Sequence, residues 1–425
     1  MSNVIIVGGG AAGLSAAHLL SRSGKSVHIL EARDRIGGRI HTIRNEGFSS
    51  AVEAGAEFMH GELPMTMSLM REAKVSYRSG QGNTWNVLDN HLAKGDFFDE
   101  GWSEVINKLQ LLKEDMTIGD FLKKYFGDAK HESLVESVRG FVQGYDAADV
   151  DKASAMALAE EWKSGDVKGY RPIGGYGQLM DFLREKIEGN NGVFKFSSPV
   201  RKIRWSQGHV EVVTEQDEIF SSEKILVTVP ISVLKQDALQ FEPPLEQHRS
   251  ALQQLEMGEV IKFLFEFKTS FWEKQNINVH RHMPGLNFLF SDAFVPTWWT
   301  QKPRELPLLT GWLAGPVLRK VRLDDGYLLD EAVKSLTYLF GCTQEYLHNE
   351  LHFSKVVNWS KDEFSRGAYA YKTLQTAEAL KTFNKPVDHT IFFAGEALYD
   401  GPEMGTVEAA LARGRDVAEE ILKRS

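Results

Sequence analysis

The sequence predicts an α/β protein of two interleaved domains, and three observations carry that prediction. The chain opens on an apolar strand, a glycine turn and an Ala/Leu-rich helix, and it closes on a second strand, glycine-rich loop and helix. Between them, blocks of helical and of strand periodicity alternate over a length that exceeds one ordinary domain, at 425 residues and 42% hydrophobic content. The elements follow in order. Val4 to Val7 is a strand, an Ala/Leu-rich helix runs to Arg22 and stops at Gly24, and Val27 to Leu30 is the next strand. From about Leu63 to Leu183 the pattern is mainly helical, with helices at Trp102–Leu112, Ile118–Tyr125, Leu134–Val142 and Leu179–Ile187. Val193 to Val229 reads as an antiparallel meander broken by Ser206-Gln207-Gly208 and Gln216-Asp217-Glu218, and Pro230 ends it. Strands follow at Val260–Phe267, Leu286–Phe290 and Leu308–Leu313, and a helix at Tyr327–Phe340. Thr390–Ala394 is a strand, and a helix from about Thr406 to Lys423 ends the chain. The chain therefore leaves one domain twice and returns twice.

Composition excludes several classes. The single cysteine, Cys342, rules out internal disulfides and thiolate metal clusters and suits a reducing cytoplasm, so a cytoplasmic location is expected. Met1-Ser2-Asn3 runs straight into the first strand without a basic leader, and no stretch has the length to cross a bilayer. A formal charge of −9 argues against nonspecific nucleic-acid binding and gives a diffuse field that favours cationic ligands.

The spacing Gly8-x-Gly10-x-x-Gly13 places glycine where a strand turns tightly into a helix and where backbone must approach a pyrophosphate. The helix beginning near Ala12 then offers free N–H groups and the positive end of its dipole. Glu31, at the end of the second strand, stands where a ribose hydroxyl is bound in dinucleotide sites. Alone the glycines would be a turn in any α/β unit; the strand before, the helix after and the acid beyond make this a Rossmann-like nucleotide-binding unit. Ala32-Arg33-Asp34-Arg35-Ile36-Gly37-Gly38-Arg39 follows, a second glycine pair ending in a guanidinium suited to forked phosphate contacts.

Glu-Ala-Arg-x-Arg-x-Gly-Gly-Arg after such an opening resembles the flavin amine oxidases, a family that includes monoamine oxidases, polyamine oxidases, histone lysine demethylases and L-amino-acid oxidases. The resemblance implies a discontinuous FAD-binding domain over residues 1–75, 190–260 and 385–425, and a mixed α+β substrate-binding domain over 76–189 and 261–384. It also assigns roles residue by residue. Arg33, Gly38 and Arg39 join Gly8, Gly10, Ala12, Gly13 and Glu31 in holding FAD. Gly55-Ala56-Glu57-Phe58-Met59-His60-Gly61 resembles the stretch whose small residues pass the flavin ring, with Glu57 and Phe58 beside the cofactor and His60 in the active site. Without the resemblance, Gly55-Ala56 is a packing point and His60 an ordinary core or surface histidine. Arg171-Pro172-Ile173-Gly174-Gly175-Tyr176-Gly177 is similar to the family's glycine turn before a helix. Pro199-Val200-Arg201 resembles the strand where Val200 meets the adenine.

Gly258-Glu259-Val260-Ile261-Lys262-Phe263 resembles the strand that carries a lysine near flavin N5. Alternation alone puts Lys262 with Glu266 on the face opposite Ile261, Phe263, Phe265 and Phe267, which reads as a solvated face. The resemblance implies instead that Lys262 orients water beside N5. Trp359 and Tyr369 match the family's Trp and aromatic ten residues apart, the first beside the isoalloxazine and the second a wall of the substrate site; by burial tendency alone both would be core. Monoamine oxidases carry a flavin-bonded cysteine where Ala368 stands, so FAD is expected to be noncovalent. Phe392-Phe393-Ala394-Gly395-Glu396 and Met404-Gly405-Thr406-Val407 resemble the closing motif. Gly395 and Glu396 would serve the ribityl or pyrophosphate region, and the helix after Gly405, Thr406 and Val407 would aim its dipole at the flavin pyrimidine. Thr406 stands where monoamine oxidases have the second tyrosine of an aromatic pair, which, with His60, resembles polyamine oxidases and histone demethylases.

The implied activity is oxidation of a carbon-nitrogen bond of a primary, secondary or polyamine, with hydride passing to N5, imine hydrolysis afterwards, and oxygen or another acceptor taking the electrons. Trp298, Trp299 and Trp312 are candidates to line the cavity, with core packing as the alternative. No metal and no nucleic acid is expected, and the chain would be a monomer or homodimer. Protoporphyrinogen oxidases and carotenoid desaturases share the scaffold. So would a flavin redox sensor without turnover. A protein demethylase would be expected to carry a long helical insertion for its large partner, and none is evident.

Overall fold

The computed structural model describes residues 2–61, 63–95, 101–163, 169–322 and 324–423. Its first sheet has a parallel core. Ser2–Val7 lies between Val27–Leu30 and Ile219–Val227, with Val193–Lys195 outside the former and Ile391–Phe393 outside the latter, all parallel. Such a sheet needs cover on both faces, and its strands accordingly carry near-continuous apolar runs; Ile5, Ile6, Ile29, Ile225 and Ile391 are fully buried. Ile219–Val227 also pairs antiparallel with His209–Thr214, which pairs with Val200–Ser206. The expected meander is therefore present, except that Val193–Lys195 belongs to the parallel array.

Ala11–Arg22 covers one face of this sheet together with Gly177–Gly189 and Val407–Lys423. The first and last helices cross at backbone distance, because a β-carbon on Gly414 would stand 2.2 Å from the Ala12 carbonyl oxygen. Ser15 reinforces the crossing by donating to the Leu411 carbonyl at 2.7 Å. The first and last helices are thus packed together on one face of the nucleotide unit. Glu408, buried in the last helix, accepts from the N–H groups of Met65 and Thr66 and so caps Pro64–Glu72 from outside.

The second sheet runs in the order Leu351–Asn358, Val260–Phe267, Leu308–Ala314, Thr297–Trp299, Leu286–Ser291, Asn83–Leu88, His91–Lys94. Here two expectations need correction. The block 63–183 is not only helical: Tyr77–Ser79, Asn83–Leu88, His91–Lys94 and Gly169–Pro172 are strands within it. Tyr77–Ser79 and Gly169–Pro172 are short and pair with each other across the chain, whereas Asn83–Leu88 and His91–Lys94 form a polar hairpin that joins the sheet through pairs such as Leu289 with Trp85. Val260–Phe267 has no solvated face: every residue in it is buried, Lys262 and Glu266 included. One face packs on the apolar cluster that includes Asp325–Phe340, and the other is covered by the loops after the nucleotide strands. The expected helices at 102, 118, 134 and 179 are present as Trp102–Gln110, Ile118–Phe126, Glu132–Gly144 and Gly177–Gly189. Among the described residues no helix is long and apolar enough to cross a membrane.

Candidate active site

The glycine turn has the geometry a dinucleotide phosphate requires. Gly8 has φ +111°, and a β-carbon on Gly13 would lie 2.0 Å from the Gly8 carbonyl oxygen, so the turn closes only without side chains. Gly10 caps the first helix without a side-chain acceptor, and no acid stands in the first turn. A β-carbon on Gly10 would meet nothing nearer than the Gly37 carbonyl at 4.0 Å, so the space before the helix N-terminus is open. Glu31 is 5% exposed and accepts from Gly9 N–H at 2.6 Å and Arg33 N–H at 2.8 Å. Burial raises its carboxyl, with the two N–H groups working the other way.

Of the three arginines in the second motif, Arg33 is engaged with Asp362. Its guanidinium grips both oxygens of Asp362, at 2.9 and 2.5 Å, and stacks over Phe364. Arg39 faces the centre: it donates to Glu396 Oε1 at 2.7 Å and to the Ala368 carbonyl at 2.5 Å. Gly395 beside it has φ +157°, and a β-carbon there would touch nothing within 4 Å. An open cradle therefore runs from Gly10 past Gly38 (φ +59°) to Gly395, with cationic Arg39 at its rim. These donors and this open backbone fit a flavin dinucleotide. Val200 is half-buried at the start of its strand beside the same apolar cluster as Val7 and Leu30.

Gly55 joins the cradle to the second sheet. A β-carbon there would lie 1.8 Å from the Arg39 carbonyl and 3.2 Å from the Trp359 ring, and Trp359 Nε1 donates to the Ala54 carbonyl at 3.0 Å. Lys262 Nζ, 1% exposed, reaches the Gly55 carbonyl at 3.2 Å and Glu57 Oε2 at 2.7 Å. Glu57 is more than a neighbour of the ring path. Its other oxygen accepts from Arg171 Nε at 3.1 Å, Trp299 Nε1 at 3.0 Å and Gln301 Nε2 at 3.0 Å. Burial works against its charge, but Lys262 and Arg171 outweigh burial and hold its carboxyl below the usual range.

An aromatic circuit stands beside this lysine. Tyr369 stacks on Trp312 (6.4 Å, 18°), Trp312 meets Trp299 (5.8 Å), Trp299 meets Phe58 (5.5 Å), Phe58 meets His60 (5.5 Å) and His60 meets Tyr145 (5.6 Å). Tyr369 closes the loop by donating to the Tyr145 carbonyl at 2.5 Å. Tyr145 is 43% exposed, and burial followed by the Glu161 and Asp146 charges raises its phenol. Burial, and then the Arg171 charge, push His60 down to about 4, which leaves it neutral near pH 7. Thr406 is near the same wall: a β-carbon on preceding Gly405 (φ +89°) would lie 3.6 Å from the Tyr369 side chain. Thr406 itself caps the last helix by accepting from Ala409 N–H at 3.2 Å, and Val407 begins that helix. Ala56 is half-buried against the apolar cluster below the first sheet.

Of the three tryptophans weighed for the cavity, Trp299 and Trp312 are in the circuit. Trp298 is core, fully buried with its indole donating to Val295. Sequence reasoning did not find Tyr145 or Arg171 as site residues. Phe141 and Tyr145, four apart at the end of a helix and stacked at 4.9 Å, were the available signal for the first. Near Tyr145, Asp146 and Glu161 face each other; burial raises both, the Glu161 charge raises Asp146 further, and Glu161 reaches about 7 although Lys372 and the bond from Asp146 work the other way.

The comparisons with known proteins agree with this architecture. The chain is 28% identical to lysine-specific histone demethylase 2 of Homo sapiens over 93% of its length and 50% of the relative's. It is 27% identical to polyamine oxidase 2 of Arabidopsis thaliana, covering 99% of this chain and 89% of that one. The chain thus spans about half the length of the demethylases it matches. Its fold superposes on wild-type putrescine oxidase bound to putrescine with a TM-score of 0.81 at 20% identity, and on cyclohexylamine oxidase from Brevibacterium oxydans IH-35A with 0.82 at 19%. Both superpositions cover 100% of this chain and 99% of the other. The model of the family described as flavin containing amine oxidoreductase matches residues 11–422, and the chain belongs to that family.

Proposed function

We propose that the chain is an FAD-dependent oxidase of primary, secondary or polyamines that holds its cofactor without a covalent bond and passes electrons to oxygen. The observation that carries this reading is the buried Lys262 ammonium on the Gly55 carbonyl, flanked by Trp359 and by a closed aromatic circuit. Bound FAD supplies the two-electron acceptor. The chain supplies the setting. Gly10, Gly13 and the helix N-terminus receive phosphate, Glu31 receives ribose hydroxyls, and Arg39 with Glu396 grips the middle of the cofactor. Tyr369, Trp312 and Phe58 wall a dry cleft in which a neutral amine lies with its α-carbon held for hydride loss. Aromatic faces tolerate a further ammonium by cation–π attraction, which suits a polyamine. His60, neutral near pH 7, adds no competing charge to that wall. Lys262 orients water beside the reacting face. The imine produced hydrolyses in water to a carbonyl compound and a smaller amine. Ala368 has no nucleophile to bond the ring, which supports noncovalent FAD.

Anaerobic mixing with spermine, benzylamine and an amino acid tests the reading. One of these classes should bleach the yellow protein within seconds to minutes. A yellow protein that no amine bleaches argues for the redox-sensor alternative, and acid precipitation that leaves flavin in the pellet removes the noncovalent assignment.

A further inference from the structure

We propose that Glu57 is the positioning residue for Lys262: it holds the lysine's ammonium at the flavin edge and so sets the rate at which oxygen reoxidises the reduced cofactor. The inference rests on the reading that Lys262 faces the flavin. It goes further in assigning Glu57 to the lysine and not to the cofactor.

The geometry leaves the carboxylate little freedom. Oε1 receives three donors, from Arg171, Trp299 and Gln301, between 3.0 and 3.1 Å. Oε2 is left for Lys262 at 2.7 Å. The side chain of each partner in this ion pair is nearly inaccessible, 1% for Lys262 and 4% for Glu57. A carboxylate locked by three donors is a fixed anchor, whereas a lysine on a flexible four-carbon stem is not fixed by itself. The Gly55 carbonyl, at 3.2 Å, is a weaker second anchor, and the Trp299 ring lies 5.5 Å from Nζ. The cluster carries two cations, Lys262 and Arg171, around one anion. Without the Glu57 charge the two cations would be left side by side with no carboxylate between them, and the ammonium would have to move away from Arg171.

The reaction that depends on this placement is reoxidation. Oxygen takes two electrons and one proton from the reduced anionic cofactor and a second proton from solvent, giving hydrogen peroxide and oxidised flavin. Negative charge builds on oxygen as the electrons arrive. A fixed ammonium nearby stabilises that charge only while it stays in place.

The test needs no amine. FAD-loaded protein is reduced with dithionite, mixed with aerated buffer, and followed by return of the yellow absorbance, for wild type, E57Q, K262M and the double variant. The expected result is slowing of about tenfold in E57Q and about a hundredfold in K262M, with the double variant no slower than K262M. A second readout precedes any reaction: the visible bands of the oxidised flavin should shift in E57Q and in K262M, and E57Q should add no shift once Lys262 is gone. E57D, which keeps the charge for Arg171 but withdraws it from Lys262, replaces E57Q if the latter does not retain FAD. Wild-type reoxidation in E57Q beside slow K262M overturns the proposal alone, as does a full further tenfold loss in the double variant. Wild-type reoxidation in K262M overturns the placement of Lys262 as well.

Discussion

Arg39 and Glu396, 357 residues apart in the chain, meet at 2.7 Å and join the second glycine motif to the closing one. The guanidinium also holds the Ala368 carbonyl, one residue before the aromatic wall at Tyr369. One side chain thus connects the second glycine motif, the closing motif and the aromatic wall. Replacing Arg39 by Ala removes charge-assisted hydrogen bonds and is expected to weaken FAD binding by about 10- to 100-fold. Fluorescence titration of the apoprotein with FAD measures it, and unchanged affinity would assign Arg39 a purely structural part.

Gly13→Ala would force a β-carbon to 2.0 Å from the Gly8 carbonyl and 3.0 Å from Thr228 Oγ1. Backbone cannot yield as a flexible side chain does, so a loss of about 3 kcal/mol or more is expected, with colourless or insoluble protein. Calorimetric unfolding with and without FAD gives the measurement; a stable yellow Gly13→Ala protein contradicts the turn geometry.

Trp312→Ala takes away the ring stacked on Tyr369 and the indole bond to the Gly144 carbonyl at 2.8 Å. It should lower kcat/KM for amines by about a hundredfold while FAD stays bound, because the wall and not the cradle is lost. Tyr369→Phe keeps the ring and loses only the bond to the Tyr145 carbonyl, so it should cost about 1 kcal/mol of stability and a few-fold in rate. Equal damage from both variants would mean that the hydroxyl, and not the aromatic face, is the important feature.

Two half-buried groups give opposite pH signatures. His60 is held at about 4 by burial, below its ordinary value near 6.5, so the unfolded chain binds its proton first. Its contribution to stability is full above about pH 6.5 and is lost as pH falls toward 4. Glu53 is pushed up to about 7 by burial, against the bonds from Thr42 and the Tyr176 N–H. Its contribution is full below about pH 4.5 and is lost as pH rises through about 7. Thermal unfolding from pH 4 to 8 should therefore show His60→Asn losing less than wild type on acidification. Glu53→Gln should gain on wild type toward pH 8. Parallel curves for all three proteins would refute both assignments.

The amino-acid string determined the local elements of this protein, and the folded chain decided which of their side chains meet. Gly8, Gly10, Gly13 and Glu31 were legible because strand, turn and helix are local: 3.6-residue and two-residue periods and a glycine at positive φ follow from neighbouring residues. Helices at 102, 118, 134 and 179 were legible for the same reason, and so were the strands at 260, 286 and 308. The strands at 77 and 169 were not, since their partners lie far away in sequence, and the local hairpin at 83 and 91 was not, since its strands are polar and lack an apolar alternation. Lys262 shows the limit most clearly. Alternation put it on a wet face, and only resemblance to the flavin amine oxidases moved it inward. The tertiary structure buries both faces of its strand and supplies Glu57 from 205 residues away as counter-charge. That pair, the Arg39–Glu396 contact and the aromatic circuit all join segments from different parts of the chain. Pattern along a sequence reports which way a side chain points relative to its own element, but what meets it there is set by packing between elements, and charge burial of this kind is stable only once both partners have arrived.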